Sequence, residues 1–473
     1  MLLLIFILSI FSCKEKEKRQ NVVFILVDDL GWTDLGYSGS TFYETPHIDA
    51  LSNTSIQFTD AYASASICSP TRASILTGKH PAHINITDWI PGDDNQDMRL
   101  LGPQDLHELP LHETTFAEVL KSNGYSTFFA GKWHIGDEGF LPDNQGFDVN
   151  LGGYHMGQPP GGYYSPYKNP YLTDGPKNEF LTDRLTDESI KFLDTIQDKP
   201  FLLYVSYYTV HTPIQANKRH VTRFREKLKT MDSLVTTEKR EGHAITRVVQ
   251  NNPEYASMVY ALDENVGRLI DKLKKEGLYD NTTIIFTSDN GGLTTIKEGL
   301  NYQKPTAVHP LRAGKGWLYE GGVRVPLLIK PAYYKAGGRV VSEPVISHDF
   351  FPTILTQTQV ALNPSLQIDG VDLSPLFTEN SLDRKDIFWH YPHYHASGWT
   401  PGAAIRQGDW KLIEFYEANT VELYNLSDDI SETHNLALQN PEKVKTLRKR
   451  LRDLQEAVNA NKATINSAFK EVP

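Results

Sequence analysis

Five short apolar runs punctuate the chain, at Asn21–Val27, 126–130, Phe201–Tyr207, 282–287 and 325–329, each bounded by turn residues. Runs of this length with no polar alternation read as strands buried on both faces. Helical patterns lie between them, at 114–122, 187–196 and 255–273. In the longest, Val259, Leu262, Val266, Leu269, Ile270 and Leu273 share one face at helical spacing, a stripe for core packing. Strands alternating with helices predict a largely parallel sheet covered on both faces. The stretch 157–171, rich in Pro, Gly and Tyr, reads as a loop. Beyond about residue 370 the texture changes: 410–415 and 421–426 suggest an antiparallel pair, and 442–460 an amphipathic helix. The expected architecture is α/β, a large mostly parallel sheet sandwiched by helices, plus a small α+β C-terminal domain with an antiparallel sheet.

A chain of 473 residues has room for a large core. With 40 % hydrophobic and 22 % charged residues it is not disordered, collagenous or a coiled coil. The 47 Lys and Arg stand against 58 Asp and Glu, a net charge of −11 that argues against a nucleic-acid partner. Two cysteines, Cys13 and Cys68, are too few for a disulfide scaffold.

Residues 1–12 read MLLLIFILSIFS. The run is shorter than the roughly 20 apolar residues that span a bilayer, and it fits the apolar part of an export signal peptide, although no Lys or Arg precedes it. Ser12-Cys13 at its end resembles a bacterial lipoprotein box, which implies cleavage before Cys13 and a lipid, palmitate included, on that residue. Lys14-Glu15-Lys16-Glu17-Lys18 then makes a charged tether over 13–20, similar to the surface-export signal of Bacteroidetes lipoproteins. The expectation is an exported lipoprotein of the outer membrane or cell surface, with the periplasm as alternative, touching the membrane through its N-terminal lipid only. A catalytic domain would fill 21–370 and a C-terminal subdomain 371–473.

Open parallel sheets bind ligands at the carboxyl ends of their strands. Asp28 and Asp29 follow the first strand, and Asp289 and Asn290 follow the fourth, so two strands deliver hard oxygen ligands to one edge. Three carboxylates and an amide suit Ca²⁺ or Mg²⁺ rather than a soft metal. Each pair alone also reads as a turn. Cys68 opens Cys68-Ser69-Pro70-Thr71-Arg72, with Pro70 suited to the first turn of a helix and Gly78 to its end. That places Cys68 at a helix N-terminus, where free N–H groups favour anions.

The run Cys68-Ser69-Pro70-Thr71-Arg72, continued through Leu76-Thr77-Gly78, resembles the Cys-x-Pro-x-Arg signature of type I sulfatases. The resemblance extends over nearly the whole chain after the signal. It includes Asp28-Asp29-Leu30-Gly31, Gly131-Lys132-Trp133-His134, His211-Thr212-Pro213 and Ser288-Asp289-Asn290-Gly291. Further matches are Lys315 before Tyr319-Glu320-Gly321-Gly322, Gly408-Asp409-Trp410-Lys411-Leu412 and Glu422-Leu423-Tyr424-Asn425-Leu426. Thr45-Pro46-His47-Ile48-Asp49 matches with His47 as the departure.

The resemblance implies an alkaline-phosphatase-like fold. It also implies oxidation of Cys68 to Cα-formylglycine (3-oxoalanine) by a maturation enzyme, and a metal, Ca²⁺ or alternatively Mg²⁺, on Asp28, Asp29, Asp289, Asn290 and the residue-68 oxygen. The implied reaction is sulfate ester hydrolysis: a gem-diol oxygen of residue 68 attacks sulfur, and the alcohol leaves with a proton from His211. His134 then takes the second hydroxyl's proton as sulfate is expelled. Lys132 and Lys315 hold sulfate oxygens and Arg72 holds the diol. The alternatives are a phosphate or phosphonate ester hydrolase of the same fold and a non-catalytic glycan-binding lipoprotein.

Two features suggest a sulfated carbohydrate such as ulvan, carrageenan or a glycosaminoglycan. The segment 217–249 holds nine Lys and Arg against four acids, a solvated helix face or a polyanion subsite. Residues 389–395 read Trp-His-Tyr-Pro-His-Tyr-His, a domain linker or a sugar-stacking surface.

Overall fold

The computed structural model describes residues 19–93, 96–196, 199–231, 236–378 and 381–470. The apolar N-terminal run, Cys13 and residues 14–18 lie outside them. Among the described residues no helix is long and apolar enough to cross a membrane.

Asn21–Val27, buried at every position, lies inside an eight-stranded sheet. The strand order is Arg339–Val341, Ile56–Phe58, Leu327–Lys330, Thr282–Ser288, Asn21–Val27, Phe201–Tyr207, Ser126–Gly131, Val149–Leu151. Leu327–Lys330 alone runs against the rest. This strand corrects the expectation at 325–329: it starts two residues later and is antiparallel. Val325 is drawn away, its N–H donating to the Ala61 carbonyl at 2.9 Å, and Pro326 has no N–H to give a ladder.

Alternation along Asn21–Val27 feeds two cores. Val23, Ile25 and Val27 pack with Leu262, Val266 and Leu269 of the helix Pro253–Lys275, whose apolar stripe is buried as expected. Val22, Phe24 and Leu26 pack with Ala73, Phe116 and Ile354 on the opposite face. The helix expected at 114–122 is Phe116–Ser122. It starts at a capping box in which Thr115 Oγ1 accepts from the Glu118 N–H at 3.1 Å and the Glu118 carboxylate accepts from the Thr115 N–H at 2.8 Å. The helix expected at 187–196 is Leu181–Thr195. Asp187 suggested a start, but Leu181 and Leu185 carry the buried face a full turn and more upstream.

His47 lies in the first turn of the helix Pro46–Ser52, where its N–H and that of Ile48 donate to Asp263 at 2.9 and 2.8 Å, a structural anchor. The C-terminal part is a four-stranded antiparallel sheet, Asp386–Tyr391, Gly402–Gln407, Trp410–Phe415 and Thr420–Asn425. One face carries the helix Pro441–Ala457 through Leu447 and Leu451. The other, with Trp389, Ala404, Ile413 and Tyr424, packs on Trp317, Tyr319 and Ile67 of the larger body. The stretch 310–320 and its Lys315 are thereby clamped between the two parts.

Candidate active site

Val27 and Ser288 are partners in adjacent parallel strands, so the residues that follow them meet. The Asp29 N–H donates to Asp289 Oδ1 at 3.2 Å, and Asn290 Nδ2 donates to Asp29 Oδ1 at 2.7 Å. Asp29 sits at φ +60°, a left-handed turn that brings its carboxylate back over the sheet edge. Cys68 is the first residue of the helix Cys68–Thr77, which ends on Gly78 at φ +69° as its sequence predicts. The carboxylates of Asp28 and Asp29, the Cys68 thiol and the His211 ring present ligand atoms within 4.8 Å of one another.

Three cations surround this group. Lys132 Nζ contacts both oxygens of Asp28, at 2.9 and 2.8 Å. Lys315 Nζ lies 2.6 Å from Asp29 Oδ1 and 3.1 Å from Cys68 Sγ. Arg72 Nε donates to Asp289 Oδ2 at 2.8 Å, and its Nη1 to the Lys132 carbonyl and Ser206 Oγ at 2.8 and 2.7 Å. Ser206 in turn donates to the Lys132 carbonyl at 2.7 Å. A serine inside an apolar strand gave no sequence signal, yet it fixes the cation pair.

Charge and burial set the protonation states. Burial opposes ionisation of the Cys68 thiol, but Lys132 and Lys315 outweigh it and bring the thiol down to about 6. Burial likewise raises Asp29, and Lys315, His211 and Lys132 overcome it, holding the carboxylate below its ordinary range. For Asp28 burial wins over Lys132, and Asp289 and Cys68 add to it, pushing the group up to about 8.

The two histidines are poised oppositely. His134 is 4 % exposed, and burial with Lys132 nearby drives it well below its ordinary value, so it is neutral. Its Nε2 lies 2.8 Å from the Ile90 carbonyl and must carry the proton, leaving a buried Nδ1 lone pair with no partner. His211 Nδ1 donates to the Thr212 carbonyl at 2.7 Å, and its Nε2 lies 3.7 Å from Asp29 Oδ2. Burial lowers His211, but Asp28 and Asp29 outweigh it and raise the ring above its ordinary value.

The residues fit a hard cation. Asp29 Oδ2 and Asn290 Oδ1 are buried oxygens without a hydrogen-bond partner, and they belong to a donor set of carboxylates and an amide. A cavity of about 400 Å³ opens above this floor, lined by Cys68, His134, His211 and Lys315. Its walls include Trp89, Gln158 and His395.

The two candidate sugar-binding segments are otherwise engaged. In 217–249, Arg219 pairs with Asp183 and Glu264, Arg223 and Lys227 with Glu44, Arg225 with Glu254, and Arg240 with Glu298. Most of these acids lie far away in sequence, so five of the nine basic side chains are paired with carboxylates from other elements. In 389–395, Trp389, His390 and Tyr391 belong to a buried strand. The Trp389 indole donates to the Ala63 carbonyl at 2.9 Å, and His393, 7 % exposed, bonds Thr87 Oγ1 at 2.9 Å. Of that run only His395 reaches the cavity.

A sequence model of the family described as Sulfatase matches residues 20–360, and one described as N-sulphoglucosamine sulphohydrolase, C-terminal, matches residues 313–458. A sulfatase of Formosa agariphila is 30 % identical over 507 aligned residues, covering 90 % of this chain and 86 % of its own length. An ulvan-active sulfatase of the same organism is 28 % identical and covers 98 % of this chain and 86 % of its own. Among solved structures, Ps i-CgsB in complex with k-i-k-neocarrahexaose superposes with a TM-score of 0.73 at 29 % identity, over 96 % of this chain and 95 % of its own.

Proposed function

Because the chain belongs to the sulfatase family and is a sulfuric ester hydrolase, we propose that it acts on a sulfated polysaccharide or its oligosaccharides, with ulvan, carrageenan and glycosaminoglycan as candidate polymers. The observation that carries this reading is the convergence of Cys68, Lys315 and two oppositely poised histidines on one cavity floor, with Lys132 buried just behind it. The intact set favours an enzyme over a glycan-binding relative without activity. The family match favours sulfate over phosphate or phosphonate esters.

Asp28, Asp29, Asp289 and Asn290 would hold Ca²⁺, or else Mg²⁺, and a Cα-formylglycine made from Cys68 would supply the attacking hydroxyl while the ion supplies Lewis acidity. The chain's own side chains do the rest. Lys315 at the floor and Lys132 just behind it place positive charge where the sulfate oxygens gather charge. Arg72 keeps Asp289 and the Lys132 backbone in place. His134 offers the Nδ1 lone pair as a base. His211, with its Nδ1 proton tied to the Thr212 carbonyl, donates from Nε2 to the leaving alcohol in its charged form. Export and a lipid on Cys13 complete the proposal, on the strength of the apolar run and Ser12-Cys13.

The test is sulfate release. Produced together with a formylglycine-generating enzyme, the protein is expected to liberate sulfate from sulfated oligosaccharides, and its residue-68 peptide to react with a carbonyl reagent. Release from an aryl sulfate but from none of a panel of sulfated oligosaccharides would overturn the carbohydrate assignment. Exhaustive chelation is expected to lower kcat by about 100-fold or more, roughly 3 kcal/mol of lost charge stabilisation, and Ca²⁺ to restore it. Full activity with no bound ion by elemental analysis would remove the metal from the proposal.

A further inference from the structure

The floor and the walls of the cavity differ in charge. Among the described residues that line it, Lys315 is the only lysine or arginine, and it lies at the floor against Asp29 and Cys68. The walls that rise from the floor are Trp89 with Ile90 and Pro91 on one loop, 156–158 on another, and His395 from the C-terminal sheet's first connection.

None of these wall groups carries positive charge. His395 Nδ1 accepts from the Ser397 N–H at 3.1 Å and lies 2.8 Å from Ser397 Oγ, so the ring's proton is on Nε2. Burial and the neighbouring Lys315 push this ring down to about 3, and it stays an uncharged donor. It packs against Gly316, where an added Cβ would meet its Nδ1 at 2.2 Å, so the glycine after Lys315 makes room for it. His155 also lines the cavity, but its Nδ1 is 3.2 Å from Asp137 Oδ1, so its ring is turned to a carboxylate. The Trp89 side chain bonds the Asp93 carboxylate, which fixes its ring. Gln158 is exposed and neutral.

We infer that the sugar ring seated in this cavity is neutral apart from the sulfate under attack, so that the enzyme prefers a singly sulfated neutral hexose over a uronic acid or a doubly sulfated ring. This inference rests on the carbohydrate reading proposed above. A second anion on the same ring would leave water for a wall of indole, proline, methionine and neutral donors. With no lysine or arginine on the walls to meet it, a charge held there would pay its desolvation uncompensated. A ring bearing only hydroxyls meets what neutral ligand sites offer, apolar surface with a few placed donors, here Gln158 and His395 Nε2. A cavity of about 400 Å³ lies near the small end of ligand sites, about 300–1,000 Å³, and suits one ring with its sulfate.

The experiment compares kcat/KM on three substrates: an aryl sulfate, a singly sulfated neutral hexoside, and the same hexoside with a second sulfate. The matured wild-type protein is expected to favour the singly sulfated hexoside over the doubly sulfated one by tenfold or more. Gln158→Lys, which puts a cation on the wall, is expected to narrow that ratio at least fivefold. Equal or faster turnover of the doubly sulfated hexoside by the wild type overturns the inference alone, as does a ratio unmoved by Gln158→Lys. Turnover of the aryl sulfate with neither hexoside hydrolysed would overturn the carbohydrate reading and this inference with it.

Discussion

Cys68→Ala is expected to fold like the wild type and to hydrolyse sulfate esters about 10⁴-fold more slowly or worse. The large kinetic effect follows from position. Cys68 is 3 % exposed, opens the helix Cys68–Thr77, lines the cavity, and lies 3.1 Å from Lys315 Nζ and 3.8 Å from Asp28 Oδ1. No other side chain at the cavity floor combines a nucleophilic atom with a cation and a carboxylate in contact. The small structural effect follows from the same environment. Alanine suits a helix, and the thiol it removes serves no core cluster on either face of the main sheet. The variant should therefore melt within a few degrees of the wild type while sulfate release, followed by ion chromatography, falls to background. Wild-type turnover by the alanine variant would remove residue 68 from the chemistry.

The parts of the site that were legible in the sequence share a cause. An apolar strand followed at once by Asp-Asp or Ser-Asp-Asn can end only at a sheet edge. Val27 and Ser288 then prove to be register partners, so the two pairs meet. Cys68 was placed by Pro70 and Gly78, which mark helix ends for local steric reasons. What failed was whatever depended on partners far along the chain. Much of the basic charge of 217–249 is paired in ways the sequence does not show, because Glu44, Asp183, Glu264 and Glu298 come from other elements. The run 389–395 reads in sequence as a linker or a sugar-stacking surface, but strand pairing and bonds to Ala63, Thr87 and Asn461 bury Trp389, His390 and His393 and leave His395 at the cavity. The reversed strand Leu327–Lys330 could not be read at all, since direction leaves no mark in an apolar run. Ser206 was invisible for the opposite reason: one hydroxyl inside a strand looks like packing until Arg72 reaches it.

Two sequence elements far apart, Tyr319-Glu320-Gly321-Gly322 and Asp409-Trp410-Lys411, meet in the structure, and their contact supports the second prediction: Lys411→Met is expected to cost about 3–5 kcal/mol of stability. Lys411 Nζ lies 2.8 Å from Glu320 Oε1 and 3.0 Å from Glu432 Oε1, and all three side chains are 0 % exposed. Glu320 is also held by Arg324 at 2.7 Å and by the Tyr62 hydroxyl at 2.8 Å, while Asp60 takes Arg324 and Arg406 at 3.2 and 2.6 Å. Three buried cations thus balance three carboxylates across the junction of the two parts, directly behind the loop that presents Lys315. Removing one cation leaves Glu320 and Glu432 facing each other in the dry. The loss should depend on pH in a definite direction. Burial and repulsion from Glu320 outweigh Lys411 and push Glu432 up to about 7, so its contribution to stability is full below its ordinary value and fades as pH rises through about 7. Burial also raises Glu320, but Lys411 and Arg324 overcome it and hold it down at about 2, so its contribution is present above its ordinary value and fades only as pH falls toward 2. Without Lys411 both carboxylates lose support in their charged forms. The deficit relative to wild type should therefore be smallest near pH 5 and largest above pH 7. The double variant Lys411→Met, Glu432→Gln, which removes one of the two facing charges, should recover part of it. Unfolding measured at both pH values checks this: a deficit under about 1 kcal/mol, or one that shrinks as pH rises, would mean the charges at this junction do not hold the two parts together.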